Sequence, residues 1–288
     1  MQIQIQHPST GKTKSFNYSH FLANKDLEFD KEILVDCNRG VYDFIAKGDE
    51  IIVDKHEIYD KEKAVSFDKG RRYEGIKENK KTNQFAFFKK IINEQGTDGP
   101  VLSVGCGTMY WEKRLDSDLV FFPLDISKHM LREAIDKHRT KFGIHANGAN
   151  LPFADNEFSL SFCIDSLPEN FYGNKHAQNT RKKILLEMNR VTKPGGKILL
   201  LLPNSMKTKF INTVKLKKFR GIPNDEYGFS PNNLNNELID LGFDIEHFSY
   251  RMSLGPFRSQ RLINSWNSLI SFFRINFLGS IFAVIKVK

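Results

Sequence analysis

Four short apolar runs limit the folds open to this chain. They are Val101-Leu102-Ser103-Val104, Leu119 to Leu124, Phe158 to Ile164 and Ile198 to Leu202. None shows the strict polar alternation of a half-exposed strand. A strand that reads apolar on both sides is covered on both faces. Helix-patterned segments separate the runs. A helix candidate follows the glycines after Val104 and continues through Leu115. Ser127 can cap a helix through Lys137. Arg181 to Val191 places Ile184, Leu185, Met188 and Val191 on one face. Strands of this kind alternating with helices predict a doubly wound α/β domain around a mostly parallel sheet.

The two ends follow other patterns. Lys193-Pro194-Gly195-Gly196 should turn the chain into the Ile198 run. Asn232 to Leu241 reads as a helix stopped by Gly242, and Phe243 to Phe248 alternates with period two. With Ser280 to Val287 as a further strand, an antiparallel edge is expected. Toward the N-terminus, Ile33-Leu34-Val35 and Val41 to Ile45 are short strands, with a turn at 47–50 into 51–53. Residues 61–82 are charged and weakly patterned and read as a linker. Phe85, Phe88, Ile91 and Ile92 recur at helical spacing. The division expected is a small β-rich extension over 1–60 and a main domain over 61–288. Residues 262–285 are apolar but interrupted by Asn264, Asn267, Arg274 and Asn276. Leu262, Trp266, Leu269, Ile270, Phe273 and Phe277 share a helical face, so 259–278 is read as an amphipathic helix, not a membrane span.

Composition bounds the partners. The net charge is +9, and basic clusters occur at Lys80-Lys81, Lys89-Lys90, Arg181-Lys183 and Lys215-Arg220. They read as solvated helix faces, because no interleaving of arginine with aromatics marks a nucleic-acid face. Cys37, Cys106 and Cys163 are scattered and odd in number, which fits a reducing compartment and a cytoplasmic protein. The N-terminus has no apolar stretch with a small-residue cleavage site, so no secretory leader is expected.

Three places carry possible chemistry. Gly105-Cys106-Gly107-Thr108 follows the first apolar strand. Glycines there let a ligand approach the backbone, though a plain tight turn reads the same way. Tyr110 stands where a dinucleotide loop needs a small residue, which argues against NAD. Asp125, twenty positions after Gly105, ends the second strand. Its carboxylate can accept from two ribose hydroxyls, or simply cap the next helix. Asn147 follows a presumed strand, and its amide can read an adenine edge or sit in a left-handed turn.

Taken together, residues from about 99 to 203 resemble the class I S-adenosylmethionine (SAM)-dependent methyltransferases, in the broad family that includes quinone and small-molecule methyltransferases. The matching segments are Val101 to Thr108, Pro123 to Leu131, Asn147 with Leu151-Pro152-Phe153, and Glu187 to Gly196. Ser230 to Phe248 is similar to the family's late helix and strand. The resemblance implies a Rossmann-like sheet of seven strands with SAM as cofactor. It implies cofactor contacts from Gly105, Cys106, Gly107, Asp125, Ile126, Met130, Asn147, Gly148 and Asp165. Three positions depart from the family pattern: Ser103 replaces an acid, Met109 a third glycine and Asn147 an aspartate. Asp165, Glu169, Tyr172 and His176 follow the third buried strand where an acceptor would sit, and none is assigned as a base.

The N-terminal stretch resembles a small zinc ribbon that precedes this domain in several methyltransferases. The echo lies in His7 to Gly11 and Cys37 to Tyr42. Only His7 and Cys37 can serve as ligands, so the ribbon is read as one without metal, or as an unrelated β extension. The leading expectation is methyl transfer to a small-molecule acceptor. Methylation of ribosomal or transfer RNA is the second reading, and a degenerate scaffold protein the third.

Overall fold

The structure, a computed structural model, describes residues 1–46, 61–70, 99–115, 119–168, 174–206, 228–251 and 280–288, with Ile92 and Ser265. The chain opens with the antiparallel hairpin of β1 (Gln2–Gln6) and β2 (Thr13–Asn17), followed by α1 (Tyr18–Leu22). Then come the short strands β3 (Leu27–Glu28), β4 (Leu34–Val35), β5 (Cys37–Asn38) and β6 (Val41–Asp43). A helix, α2, spans Lys61–Gly70.

The main alternation begins at β7 (Val101–Val104). It continues through β8 (Phe121–Asp125), α3 (Lys128–Asp136), β9 (Gly143–His145) and β10 (Phe158–Ile164). It closes with α4 (Asn174–Val191), β11 (Thr192–Leu202), α5 (Pro231–Asp240), β12 (Asp244–Arg251) and β13 (Ser280–Lys286).

Nine strands form one sheet in the order β12-β13-β11-β10-β7-β8-β9-β6-β5. From β11 to β6 every pairing is parallel. β13 runs antiparallel between β11 and β12, as the period-two pattern predicts. The doubly wound α/β architecture is therefore as expected, and the seven strands from β7 to β13 form its frame. Two strands are added at the β9 side: β6 pairs in parallel with β9, and β5 pairs with β6.

Burial explains the apolar runs. All four residues of β7 are buried, and so are Ile198 to Leu202. Phe122 sits at an aromatic junction, with ring centroids 5.4 Å from Phe21, 5.5 Å from Tyr18, and 5.6 Å from Phe142 and from Phe158. Offset and edge-on aromatic pairs of this kind add to what their buried area contributes. Phe21 and Tyr18 come from α1, so the N-terminal extension packs into the same core as the sheet.

Three local features differ from the sequence reading. The charged stretch from residue 61 is a helix, not a linker, over Lys61–Gly70; Ala64 is buried and α2 packs on α3. The segment after the glycines holds only a 3-10 turn, Glu112–Arg114, among its described residues. Residues 193–196 form a bulge rather than a free turn. Opposite them, β10 advances from Phe158 to Leu160 while β11 advances from Thr192 to Lys197. Gly195, at φ +80, allows that detour, and the Gly195 N–H donates to the Val287 carbonyl at 2.8 Å. The expected turn at 47–50, the helix around Phe85 and the helix over 259–278 lie outside the described residues, apart from Ile92 and Ser265.

Candidate functional site

The carboxyl end of a parallel sheet is where open α/β folds place ligands. Here the ends of β7, β8, β9 and β10 bring the expected residues together. The Gly105 and Cys106 N–H groups both donate to the Leu124 carbonyl of β8, at 2.8 and 3.0 Å. Gly105 and Gly107 are left-handed, with φ of +69 and +55. At Gly105 a Cβ would stand 2.3 Å from the Ser166 Cβ, so no larger residue fits without displacing the loop after β10. The Ser166 hydroxyl donates to the Gly105 carbonyl at 2.6 Å and fixes that contact.

Asp125 organises the loop. One carboxylate oxygen accepts the Gly107 N–H at 2.7 Å and the other accepts the Ser127 N–H at 2.8 Å. Burial raises the Asp125 pKa above the ordinary carboxylate value, against the lowering effect of these backbone donors. The Ile126 N–H acts on the same carboxylate, and of its roughly four acceptor positions one is then left for a ligand hydroxyl. The open glycine backbone and this acceptor set fit an adenosine ribose. Ser127 caps α3 as expected, its hydroxyl accepting the Met130 N–H at 3.4 Å.

The other expected residues border the same loop. A Cβ on Gly107 would lie 3.2 Å from the Met130 Cε. Ile126 is half-buried, and its carbonyl lies 3.0 Å from the His145 Nε2. Asn147 follows β9 and is buried; its side-chain oxygen accepts the Ala149 N–H at 2.9 Å. A Cβ on Gly148 would lie 3.1 Å from the Val104 side chain at the end of β7. Asp165 adopts φ +53 at the end of β10, and its N–H donates to the Leu201 carbonyl at 2.8 Å. Glu169 and Tyr172 lie outside the described residues, as does the side chain of His176.

The departures from the family pattern take definite forms. Met109 keeps the left-handed backbone of the glycine it replaces, at φ +51, which an unbranched side chain adopts only under constraint. Its side chain is taken up in a buried cluster with Cys106, Leu131 and Ala134. Ser103 is 2% exposed, and its hydroxyl donates to the Glu112 Oε1 at 2.5 Å. The Cys106 thiol is pushed well above its usual range by burial first and by the nearby Asp125 and Glu112 charges next. Burial pushes Cys163 up to about 12.

Several residues of the site were missed in the sequence. Phe67 of α2 lies over the glycine loop, 3.9 Å from where a Gly107 Cβ would be. Arg139 donates to the Thr108 carbonyl and hydroxyl, both at 2.9 Å, and covers the Tyr110 ring at 5.4 Å. Asp43 of β6 lies 3.0 Å from the His145 Nδ1 and so reaches the back of the Asp125 turn. Burial is the largest single influence and works against the Asp43 carboxylate, but His145, the Ile45 N–H and Lys128 together hold the pKa below its ordinary value. Glu187 and Arg190 of α4 tie down the Leu151–Asp155 loop. The Leu151 N–H donates to Glu187 at 2.8 Å, and Arg190 donates to the Phe153 carbonyl and to Asp155, each at 2.8 Å. This network gives the Leu-Pro-Phe and Glu-x-x-Arg segments a shared structural reason.

In the N-terminal segment, His7 packs edge-on against Phe29 at 5.5 Å, and the Cys37 N–H donates to Asp26 at 2.7 Å. No group of three His, Cys, Asp or Glu residues that could hold a metal occurs among the described residues. Elemental analysis of the purified protein is expected to find no stoichiometric zinc, since a closed zinc site takes about four ligands. One tightly held zinc per chain would reverse this reading.

A glycine loop at the first strand of this sheet order, with an acid ending the second, defines the Rossmann-like methyltransferase fold. The family described as "Methyltransferase domain" matches residues 102–200. The match takes in about a third of the chain, from β7 to β11, and makes that segment similar to a methyltransferase domain.

Among curated proteins, the chain is similar to a malonyl-[acyl-carrier protein] O-methyltransferase of Buchnera aphidicola subsp. Baizongia pistaciae. The identity is 35% over 102 residues, covering 34% of this chain and 37% of that protein. It is also similar to a demethylmenaquinone methyltransferase of Geobacillus stearothermophilus, 34% identical over 122 residues, covering 38% of this chain and 47% of that one. The chain thus spans less than half the length of these two relatives. Two solved structures share the fold. Magnesium protoporphyrin IX methyltransferase from Synechocystis PCC 6803, with bound S-adenosylhomocysteine (SAH), has a TM-score of 0.53 and 15% identity; 82% of this chain and 100% of that one are covered. N-methyltransferase NodS from Bradyrhizobium japonicum WM9, in complex with SAH, has a TM-score of 0.53 and 10% identity; 79% and 96% are covered. No helix among the described residues is long and apolar enough to cross a membrane.

Proposed function

We propose that this protein transfers the methyl group of SAM to a small-molecule acceptor. The observation that carries the reading is the joint geometry of Gly105, Gly107 and Asp125: a bare, left-handed backbone beside a buried carboxylate that accepts from the loop itself. In this proposal Asp125 receives a ribose hydroxyl, and Gly105, Cys106 and Gly107 flank the methionine portion. Ile126 and Met130 cover the adenosine, Asn147 and Gly148 border the adenine, and Asp165 faces the methyl group. The sulfonium supplies an activated methyl, so the chain's own task is to align the acceptor and exclude water. The curated relatives, one named for a quinone precursor and one for a carrier-bound acid, support a small acceptor over a nucleic acid. Cytoplasmic residence belongs to the same proposal and rests on three unpaired cysteines.

Calorimetry with SAM and with SAH tests it. Both are expected to bind the wild type. Asp125→Ala should weaken binding by about 1.5–3 kcal/mol, roughly 10- to 150-fold, if the carboxylate takes charge-assisted hydrogen bonds. Wild-type protein that binds neither ligand rejects the enzyme in favour of a scaffold. Binding that survives Asp125→Ala unchanged rejects the site assignment.

A further inference from the structure

The Asp125 turn has a support that reaches it from the N-terminal extension. Asp43, His145 and Asp125 lie side by side on the neighbouring strands β6, β9 and β8, because His145 is the register partner of both acids. Register partners on adjacent strands carry their side chains on one face. His145 is 3% exposed, whereas the Asp43 side chain is 60% exposed. The ring is thus shielded from water, and its outer partner is not.

Both ring nitrogens face oxygens. Nε2 lies 3.0 Å from the carbonyl of Ile126, the residue between Asp125 and Ser127. Nδ1 lies 3.0 Å from the Asp43 carboxylate but makes no aligned hydrogen bond, so this contact acts through charge. A neutral imidazole has one N–H and one lone pair, and neither oxygen can donate to the lone pair. With one proton the ring must turn a lone pair toward an oxygen; with two it suits both. Asp43 from β6, Asp125 from β8 and Lys128 from the start of α3, which acts on Asp43, are the charged groups around this contact. Burial works against both carboxylates, and the ring opposes it at each.

Loss of the second proton has a definite direction. A carboxylate attracts a donor more strongly than a neutral carbonyl does, so the remaining proton stays on Nδ1. The Nε2 lone pair then repels the Ile126 carbonyl. Movement of Ile126 moves the Asp125 carboxylate, which accepts the Gly107 and Ser127 N–H groups.

We infer that His145 is a positioning residue for SAM, holding the Ile126 carbonyl and with it the Asp125 turn through Nε2–H, and that Asp43 makes this hold depend on pH. The inference rests on the SAM-site reading proposed above. Support for the turn is complete while the ring carries both protons. It is lost as pH rises through the range in which histidines titrate, about 5–8.

The test compares wild type with Asp43→Asn. An asparagine amide can donate to Nδ1, which leaves the last ring proton on Nε2 and the Ile126 carbonyl held at every pH. Calorimetric affinities for SAM are expected to match at about pH 6. At about pH 9 the wild type should bind roughly three- to tenfold more weakly than the variant, the worth of one net hydrogen bond. Titration of Asp125 and of the ligand's amino group is common to both proteins, so their ratio isolates the histidine. Nitrogen-15 spectra of the rings, with His145 assigned by its loss in His145→Gln, need no ligand. At high pH they should show the Nδ1–H form in wild type and the Nε2–H form in Asp43→Asn. An affinity ratio that does not change with pH overturns the inference, as does a wild-type ring in the Nε2–H form at high pH. If a thermal melt shows that Asp43→Asn does not fold, the wild-type spectrum decides alone. Wild-type protein that binds neither SAM nor SAH rejects the SAM site itself, while the spectra still judge the pairing of Asp43 with His145.

Discussion

Glu237→Ala is expected to destabilise the fold by about 3–5 kcal/mol, because it leaves a buried guanidinium uncompensated. Arg181 of α4 meets Glu237 of α5 through two nitrogens: Nε donates to the carboxylate at 3.0 Å and a terminal nitrogen at 2.6 Å. The paired side chains are each 6% exposed. The other terminal nitrogen of Arg181 donates to the Pro168 carbonyl at 2.7 Å, and the guanidinium covers the Phe229 ring at 5.1 Å. One guanidinium thus ties α4, α5 and the loop after β10 together. Chemical denaturation with urea measures the loss. The double variant Arg181→Met/Glu237→Leu is expected to recover most of it, since a buried pair replaced by apolar residues is often neutral or better. A single-variant loss below about 1 kcal/mol would mean that the pair behaves as a surface ion pair.

Phe21→Ala should have an effect of similar size, about 3–5 kcal/mol. Phe21 is fully buried, and its ring lies 5.2 Å from Phe142, 5.3 Å from Tyr42 and 5.4 Å from Phe122. Those three rings belong to β6, to β8 and to the segment before β9. The informative feature is the form of the melt. If the extension and the main sheet share one core, the variant unfolds in a single transition at lower temperature, about 4–8 °C lower per kcal/mol for a small domain and less for a larger one. A variant whose main transition stays in place while a minor one disappears would show that the extension is an independent unit.

Local pattern carried most of the frame. Val101–Val104, Phe158–Ile164 and Ile198–Leu202 are legible because a strand covered on both faces leaves no polar alternation. The antiparallel edge is legible from the period-two pattern of β12, and Asp125 from its spacing after the glycines. What escaped is non-local or weakly patterned. α2 has Ala64 as its buried anchor, so its helical period hardly shows among lysines and glutamates. β6 has three residues and pairs with a strand about a hundred positions later, a parallel contact that no window of sequence contains. The Ser103–Glu112 bond was hidden for another reason: its two ends lie in different elements, and neither local pattern points to the other.

The pairing of β6 with β9 also bears on what the sheet offers to other molecules. Without it, Gly143–His145 would end the sheet as a row of open peptide groups on fully buried residues, the kind of border that recruits strands from other chains. The Gly143 N–H instead donates to the Gly40 carbonyl at 2.8 Å, and the new border is β5, two residues long. Arg39 and Gly40, at φ of +50 and +80, then turn the backbone away. The opposite border among the described residues, β12, carries Asp244 and Glu246, and Glu246 is held by Lys197 at 2.7 Å. Both margins of a nine-stranded sheet are thus unsuited to further strand addition: one is too short to act as a template, the other is charged.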